Sequence, residues 1–511
     1  MKKGIRTTAQ TAVLMAMLTL VSKLFGFIRE MVMANFFGAS FITDAYAMSF
    51  TILTVLFGGV ITAVSTAYIP IYSRINENKG KKAGDEFTSR ILNILLLFTI
   101  VLSVLGIIFS DQLIAVLASG FSGETAELAS FYVKVLFSYV IFSSAAGVLE
   151  SYLQYKGVFL PQIIGGYFVS ICTIAVIIIS AYTSYYYLAF GMLAGYAFRF
   201  ITIAVIAKKK HFQYSPVLKR DETIEEIIRV SMPVFLGTYA VSINHFVDKT
   251  LASRLTEGSI SALNYATLLN SMITGLTITI LATVIYPKLA QAISQHQQDR
   301  FNAILSSGLT IVVMIALPCS LGAMLYSEQV VQIVYERGAF GGKATAMTSS
   351  AFFFYAAGLL FLSVNELITR AYYSMRNMKT PMAFAGISVI INIVLSLILI
   401  RLMAHSGLAL ATSIAAFCNT LLLWTNIRKK YSDVKLFDSR SKIIKIAISA
   451  MVSVGSSYII YIVIILPLSH VIIMRTVQLG LTIIAAGVVY LLALRFFKIE
   501  ELNLIKLIFK R

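Results

Sequence analysis

The chain has 511 residues, of which 58% are hydrophobic and only 13% charged, and its mean hydropathy is +0.84. Soluble proteins carry about 25% charged residues and tolerate little exposed apolar surface, so this composition excludes a soluble enzyme and indicates a helical membrane protein. The 42 lysine and arginine residues outnumber the 23 acidic residues, which gives a net charge of +19. Such an excess is typical of cytoplasmic loops in membrane proteins, so no nucleic-acid partner is expected.

Apolar stretches of about 20 residues or more follow one another along the chain. Six spans are predicted near residues 10–30, 42–72, 88–110, 127–155, 160–182 and 185–207. Six more are predicted near 224–253, 260–289, 302–325, 345–374, 380–403 and 406–427, and two final spans near 441–466 and 473–497. The predicted fold class is an all-α polytopic membrane protein with fourteen transmembrane helices.

Two further features modify this pattern. The segment 111–122 is apolar but too short to cross a bilayer, so an interfacial or re-entrant helix is predicted there. Pro233 and Pro318 fall inside predicted helices, where proline can introduce a kink.

The distribution of basic residues predicts the orientation. Lysine and arginine lie mainly on loops that share a side with the N-terminus, including the clusters 208–210 and 428–430. Both termini are therefore predicted to be cytoplasmic, and the clusters can also attract anionic lipid head groups. The three cysteines, Cys172, Cys319 and Cys418, lie inside apolar runs, so neither a disulfide nor a metal site is predicted.

An internal repeat divides the chain. The stretch 150–161 resembles the stretch 370–381, through the pairs Tyr152 and Tyr372, Lys156 and Arg376, and Pro161 and Pro381. Since each unit has six spans, the two lobes are predicted to be related by a pseudo-two-fold axis along the membrane normal, which is a transporter architecture. The predicted parts are an N-terminal lobe (1–210), a cytoplasmic linker (211–223), a C-terminal lobe (224–430), and two additional helices with a basic cytoplasmic tail (431–511).

Ionisable residues interrupt the first two spans. Lys23, Arg29 and Glu30 lie on the first span, where Lys23 and Glu30 share a helix face. Two cations and one carboxylate would leave positive potential in a cavity; the alternative is that the cations reach out to the membrane interface. Asp44, near the start of the second span, is predicted either to pair with one of these cations or to cap its own helix.

The seventh span carries Asp248, Lys249 and, near its end, Arg254. Asp248 and Lys249 are adjacent and cannot share a face, so Asp248 is predicted to bind a cation and Lys249 to contact substrate or a loop. Glu366 and Arg370, four residues apart on a later span, predict a local ion pair. The chain has neither a phosphate-cradling glycine loop nor Cys/His metal spacing, so a transporter that does not itself hydrolyse nucleotides is predicted rather than an enzyme.

Several motifs together resemble one family. They are Ser22-Lys23-Leu24-Phe25-Gly26-Phe27-Ile28-Arg29-Glu30, Phe37-Gly38-Ala39, Thr43-Asp44-Ala45-Tyr46, and, in the second half, Ser261-Ala262-Leu263-Asn264-Tyr265-Ala266 and Met378-Lys379-Thr380-Pro381. This pattern resembles the MviN/MurJ family, the lipid II flippases of peptidoglycan synthesis, over nearly the whole chain. The resemblance implies two six-helix lobes around a cationic cavity for a diphosphate head group, a groove at the last two helices for a polyprenyl tail, and a bacterial cytoplasmic membrane. A diphosphate is best bound by Arg and Lys.

Only some of the family's cationic residues have cationic counterparts in this chain. Its first-span arginine pair falls on Lys23 and Arg29, but two further arginines fall near Leu56 and on Leu268. Lys134, Lys249 or Arg254 is expected to compensate. The predicted substrate-binding residues are therefore Lys23, Arg29, Glu30, Asp44, Lys134, Lys249 and Arg254.

Some family members resemble sodium-coupled carriers. The resemblance places a possible sodium site on Asp248, Asn392, Ser396, Leu408 and Thr412, with Leu408 contributing a carbonyl. Oxygen ligands suit a hard cation, but Ser396 stands where a second carboxylate is expected, which would weaken the site. No other cofactor is expected.

The function implied is a flippase that carries lipid II from the inner to the outer leaflet by alternating access. Two alternatives stay open: a flippase for another lipid-linked oligosaccharide, of capsule or teichoic type, and a cation-coupled multidrug exporter. An integral-membrane glycosyltransferase would need a long carboxylate-rich loop, which the chain lacks. The expected partners are the lipid-linked saccharide diphosphate, membrane lipids and enzymes of cell-wall synthesis, and a monomer is expected.

Overall fold

The computed structural model describes residues 2–217, 222–431, 434, 436, 440–465 and 472–502, and these are organised almost entirely as α-helices. The first eight are α1 (Lys2–Phe37), α2 (Phe41–Leu53), α3 (Gly59–Ile108), α4 (Ser110–Leu117), α5 (Gly123–Tyr155), α6 (Leu160–Tyr182), α7 (Leu188–Lys209) and α8 (Glu222–Ala252). The others are α9 (Ser259–Ser294), α10 (Gln298–Leu325), α11 (Ser327–Tyr335), α12 (Gly342–Ser374), α13 (Lys379–Lys430), α14 (Arg440–Ile460) and α15 (Ile472–Phe496). Most of the predicted basic tail lies outside the described residues.

The all-α polytopic prediction is confirmed. By length and composition, ten helical segments of the described chain can cross a membrane. Two of them, Phe41–Ile108 and Lys379–Lys430, have 68 and 52 residues, which is enough for two crossings each at about 20 residues per crossing. The exact number of fourteen spans stays a prediction.

The long helices break where the sequence predicts the ends of spans. Within α3, Gly80 adopts φ 78°, and within α13, Ala404 adopts φ 49°. Gly80 is suited to this left-handed conformation because it has no Cβ. The helices α8 and α10, by contrast, continue through Pro233 and Pro318.

Some short elements were not predicted. Two π-helical segments, Thr54–Gly58 and Tyr461–Ile465, widen the helical turn, and a 3-10 turn covers Tyr185–Tyr187. A short helix, α4, lies in the segment 111–122 as predicted, and its interfacial or re-entrant position stays a prediction. The sequence reasoning missed α11, a second short helix at the matching place in the second half.

The chain divides into two compact units. The first comprises 1–261 with 337–340, and the second comprises 262–336 with 341–511. The first unit therefore contains α8, which the repeat assigns to the second lobe. The lobe boundaries predicted from the repeat stay a prediction.

Each unit has its own apolar core. In the first unit, Tyr68, Tyr72, Phe87 and Tyr152 are fully or almost fully buried among α3 and α5, and the Tyr68 hydroxyl lies 2.6 Å from that of Thr88. In the second unit, the core joins α10, α12, α14 and α15, with buried side chains that include Phe301, Leu309, Tyr372, Ile446 and Tyr490. Burial of this kind fixes how neighbouring helices pack.

The turns after α5 and α12, which the repeat pairs, have the same backbone form. Gly157 (φ 73°) and Arg376 (φ 58°) both adopt the left-handed conformation. In each turn the next residue donates its backbone N–H to a carbonyl five residues earlier, at 2.9 Å. The turns after α7 and α9 have this form as well, so it is a general helix ending, and the repeat stays a prediction.

Candidate substrate-binding site

The first predicted cations lie on α1. Arg29 donates to Glu30 through two nitrogens, with Nη2 at 2.7 Å and Nε at 3.1 Å from Oε1. The two side chains are 24% and 16% exposed. Lys23, two turns earlier, is exposed. The carboxylate of Glu30 therefore offsets the positive charge of Arg29. This pairing was not predicted, because adjacent residues point to different helix faces, but long side chains can bend toward each other.

Lys249 extends this group from a second helix. Its Nζ on α8 donates to the hydroxyl of Thr51 on α2 at 2.7 Å. Lys249 also interacts electrostatically with Glu30 and Asp44. Arg29, Glu30, Lys249 and Thr51 thus form a polar network, which we call the α1–α2–α8 network.

Tyr46 borders the α1–α2–α8 network. Its hydroxyl is buried, interacts electrostatically with Arg29 and Glu30, and has no hydrogen-bond partner among the described residues. A buried hydroxyl without a partner is costly unless a bound group satisfies it. The sequence analysis quoted Tyr46 only as part of a motif and gave it no role.

Asp44 has different partners from those predicted, while its role in substrate binding stays a prediction. Its carboxylate accepts three hydrogen bonds at the start of α9: from the backbone N–H of Gly258 at 2.7 Å, and from the backbone N–H and hydroxyl of Ser261 at 2.7 and 2.6 Å. The side chain is only 4% exposed. The expectation that it pairs with a cation of the first span or caps its own helix was therefore wrong. It neutralises the positive end of another helix, where a carboxylate is favoured.

A second carboxylate also joins the start of α2 to the start of α9. Glu257, in the turn before α9, accepts a hydrogen bond of 2.8 Å from the backbone N–H of Phe41 at the start of α2. The two helix starts therefore cap each other. Gly258 (φ 87°) fits this turn because a Cβ there would lie 2.6 Å from the carbonyl oxygen of Ala39.

Lys134 lies outside the α1–α2–α8 network. Its Nζ lies 3.4 Å from Asp111 Oδ1, and both side chains are substantially exposed. Asp111 also accepts a hydrogen bond from Ser130. This bond, followed by the charge of Lys134, lowers the pKa of Asp111 below its usual value of 3.8. Lys134 thus has a local partner on the short helix α4.

Arg254 also has a local partner. Its Nε and Nη2 lie 3.1 and 3.0 Å from the hydroxyl of Ser119, in the turn after α4. The residue is exposed. Its role as a substrate-binding cation stays a prediction, and the contact observed joins two loops.

The residues predicted to bind sodium fall in both units. Asp248 is buried in α8 of the first unit. In the second, Asn392 Nδ2 donates to Thr412 Oγ1 at 3.1 Å, Thr412 donates to the Leu408 carbonyl at 3.1 Å, and Ser396 donates to Asn392 Oδ1 at 3.4 Å. This neutral oxygen cluster suits a hard cation in donor type but carries no charge. A sodium site stays a prediction.

Two ion pairs account for other charges in the spans. Glu150 and Arg199 join α5 to α7 through bonds of 2.8 and 2.9 Å, and this pair was not predicted. Glu366 and Arg370 form the predicted local pair at 2.6 Å. These four residues already have protein partners, so they are weaker candidates for substrate contact than the α1–α2–α8 network.

The helices and the α1–α2–α8 network together define a class of protein. Charged groups held inside spans are costly and are retained where polar solutes are bound or moved across the membrane. This is a polytopic membrane transporter.

The comparisons with known proteins agree with this class. The model of the family "Lipid II flippase MurJ" matches residues 33–496. A probable lipid II flippase MurJ of Buchnera aphidicola subsp. Schizaphis graminum is 28% identical over 95% of this chain and 96% of its own. The lipid II flippase MurJ of Burkholderia cenocepacia is 26% identical over 81% and 82%.

Solved structures give the same result. A lipid II flippase MurJ in an inward closed conformation matches with a TM-score of 0.82 at 25% identity, over 95% of this chain and 99% of that one. An inward-facing multidrug resistance MATE family transporter of the MOP superfamily matches with a TM-score of 0.70 at 15% identity, over 83% and 100%, which shows a common fold. The chain belongs to the MurJ family of lipid II flippases.

Proposed function

We propose that this chain moves lipid II from the cytoplasmic to the outer leaflet of the bacterial cytoplasmic membrane by alternating access. Family membership and the α1–α2–α8 network support this proposal. The network offers a guanidinium and an ammonium group, and these are the groups that bind a diphosphate most strongly in a site shielded from water.

Binding of the diphosphate requires an exchange of partners. In the structure, one carboxylate oxygen of Glu30 accepts two hydrogen bonds from the Arg29 guanidinium. A diphosphate brings more negative charge and more acceptor oxygens than one carboxylate, so it can compete for Arg29 while Lys249 on α8 supplies a second cation. The Tyr46 hydroxyl supplies a further donor at the edge of the same group.

The mutual capping of α2 and α9 supplies a contact that transport must break. The carboxylate of Asp44 holds the first turn of α9 through three short hydrogen bonds. Hydrogen bonds to a charged group contribute about 1.5–3 kcal/mol, so this contact is strong enough to hold one state and weak enough to open.

Both termini lie in the cytoplasm in this scheme, and the protein acts as a monomer next to enzymes of cell-wall synthesis.

Sodium coupling is a separate part of the proposal. The neutral cluster of Asn392, Ser396 and Thr412 offers oxygen atoms, and Asp248 is the carboxylate that the family resemblance adds to this set. A gradient of a hard cation could then drive transport, since the chain has no nucleotide-binding loop.

The replacement of two family arginines favours a second candidate. Leu56 and Leu268 stand where the resemblance places cations. A head group with different sugars, carried on the same polyprenyl diphosphate, would then be the substrate. The multidrug exporter is less well supported, because it shares only the fold with this chain and calls for an acidic cavity.

The test is a depletion experiment in a bacterium whose own lipid II flippase can be switched off. Expression of this chain should restore growth and lipid II in the outer leaflet, whereas Arg29→Ala should do neither at equal protein level. Arg300→Ala, an exposed arginine hydrogen-bonded to Gln295 and Gln297, is the charge-matched control and should restore both. Good expression without outer-leaflet lipid II would refute lipid II as substrate and favour another lipid-linked saccharide.

A further inference from the structure

The segment that leaves α7 is docked on α3 in a regular way. Residues 212–217, which we call the strap, run along Asp85, Ser89 and Asn93 of α3. These three polar residues are four positions apart, share one helix face and are at most 7% exposed. A buried polar stripe on a membrane protein helix needs hydrogen-bond partners, and the strap supplies them.

The bonds follow alternate residues of the strap. The backbone N–H of Gln213 donates to Asp85 Oδ2 at 3.2 Å, and that of Ser215 donates to Ser89 Oγ at 3.0 Å. Asn93 Nδ2 donates to the carbonyl oxygens of residues 215 and 217 at 3.3 and 3.1 Å. The hydroxyl of residue 214 donates to Asn93 Oδ1 at 2.8 Å. The strap is therefore anchored at three successive turns of α3.

The helix α8 begins shortly after the strap and is fastened to the same part of the molecule. Ile224 and Ile227 are buried in the apolar core of the first unit. Glu226 forms an ion pair with Arg74 of α3. Midway along the helix, Phe235 lies against Gly59, where a Cβ would come within 3.3 Å of its ring.

The other end of α8 is fastened as well. Lys249 donates to Thr51 of α2, and Thr250 Oγ1 donates to the Leu117 carbonyl of α4 at 2.7 Å. The hydroxyl of Ser253 accepts a bond of 3.2 Å from the backbone N–H of Gly120. The contacts described therefore lie at both ends of α8 and at Phe235.

We propose that α8 travels with the first unit during transport, although the repeat makes it the first span of the second lobe, and that the strap is the device that holds it there. This inference rests on the proposed function. Several hydrogen bonds of about 0.5–1.5 kcal/mol each, added to apolar burial, would have to break together if α8 moved away from α3.

The attachment of α8 to the first unit also determines how the cations of α1 and α8 are spaced. Arg29 on α1 and Lys249 on α8 then keep their spacing through the whole transport cycle. A diphosphate is held by a preassembled pair rather than by cations that separate when the site changes its access.

A cross-link tests the proposal in the full-length protein. Arg74→Cys with Glu226→Cys allows α3 and α8 to be joined by a bifunctional thiol reagent that a reductant can cleave. Joined protein in liposomes should move lipid II at no less than half the rate of the unjoined variant. A rate that falls to background and recovers on cleavage would overturn the proposal. As a control, the single variant Asp44→Ala, without a cross-link, reports how much the transport rate depends on the contact between Asp44 and α9.

A distance measurement decides the matter independently of the substrate. Spin labels at Lys81→Cys on α3 and Arg229→Cys on α8, both exposed positions, should give one narrow distance distribution with Asp44 intact and with Asp44→Ala. A second distance population in either protein would overturn the proposal. Adding Ser89→Ala and Asn93→Ala, which remove strap bonds, should broaden the distribution. If the protein without a cross-link moves no lipid II, the proposed function is wrong. The distances between the spin labels still decide, in that case, whether α8 stays with α3.

Discussion

The polar groups of the first unit carry charge, whereas those gathered in α13 of the second unit are neutral. Arg29, Glu30 and Lys249 are held in spans with polar partners, while Asn392 and Ser396 satisfy each other with amide and hydroxyl groups. A buried charge costs far more free energy than a buried neutral group. The proposal therefore assigns the charged head group to the charged region, and a small cation or no ligand to the neutral region.

Removal of Arg29 would break the charged side of this comparison and should have the largest effect. Arg29→Ala removes the guanidinium and leaves Glu30 without its partner, so we expect transport to fall about 100-fold, from a loss of about 3 kcal/mol of charge-assisted bonding. Arg29→Lys keeps the charge without the fork of donors and should retain an intermediate rate. Rates are measured in liposomes at equal protein content. Arg29→Ala with the wild-type rate would show that Arg29 does not contact the head group.

Lys249 sharpens the comparison, because it tests whether a cation from α8 replaces the missing family arginines. We expect Lys249→Met to reduce transport about tenfold and Lys249→Arg to restore most of it, since one charge-assisted bond is lost and then replaced. Thr51→Val, which removes the acceptor that positions Lys249, should cost about threefold, whereas Thr51→Ser should be near normal. Equal rates for Lys249→Met and the wild type would leave the compensating cation to be found elsewhere.

The neutral side of the comparison is tested by the sodium dependence of transport. If Asn392 supplies an oxygen ligand, Asn392→Ala should raise the sodium concentration for half-maximal rate about tenfold, as should Asp248→Asn, while Arg29→Lys should leave it unchanged. The rate is measured against sodium at constant ionic strength. A wild-type rate that is independent of sodium would remove the proposal for this region.

The smallest effect is expected outside both regions, at Asp111. Its folded-state pKa lies below 3.8 because Ser130 donates to it and Lys134 is near, so its stabilising contribution is complete above that pH and is lost as the pH falls through the lower folded value. The protection of α4 amides against hydrogen exchange, relative to an unstructured peptide at the same pH, should therefore decrease slightly as the pH is lowered from about 4 to about 2. Asp111→Asn should show no such change, and an identical change in both proteins would exclude Asp111 as its cause.

Much of the fold could be predicted because its cause is local. Long apolar stretches must be helical in a bilayer, since every backbone polar group needs a partner within the span. The breaks at Gly80 and Ala404 fall between predicted spans for the same reason. The π-helical segment Thr54–Gly58 and the short helix α11 depend on packing between helices, which apolar periodicity does not record.

The candidate site was predictable in composition but not in pairing. Arg29 and Lys249 were found because charges in apolar stretches are conspicuous. The partner of Lys249, Thr51, is a small hydroxyl in an apolar helix, and only its position seven residues after Asp44, on the same helix face, could have pointed to it. Asp44 was assigned wrongly because its partners, at the start of α9, are more than 200 residues away along the chain.

The most direct test of the central claim is lipid II movement by purified protein in liposomes, comparing the wild type with Arg29→Ala/Lys249→Met and with the charge-matched control Arg300→Ala. The account predicts rapid movement for the wild type and the control and the protein-free rate for the double variant. Wild-type protein at the protein-free rate, or a double variant as fast as the wild type, would contradict it.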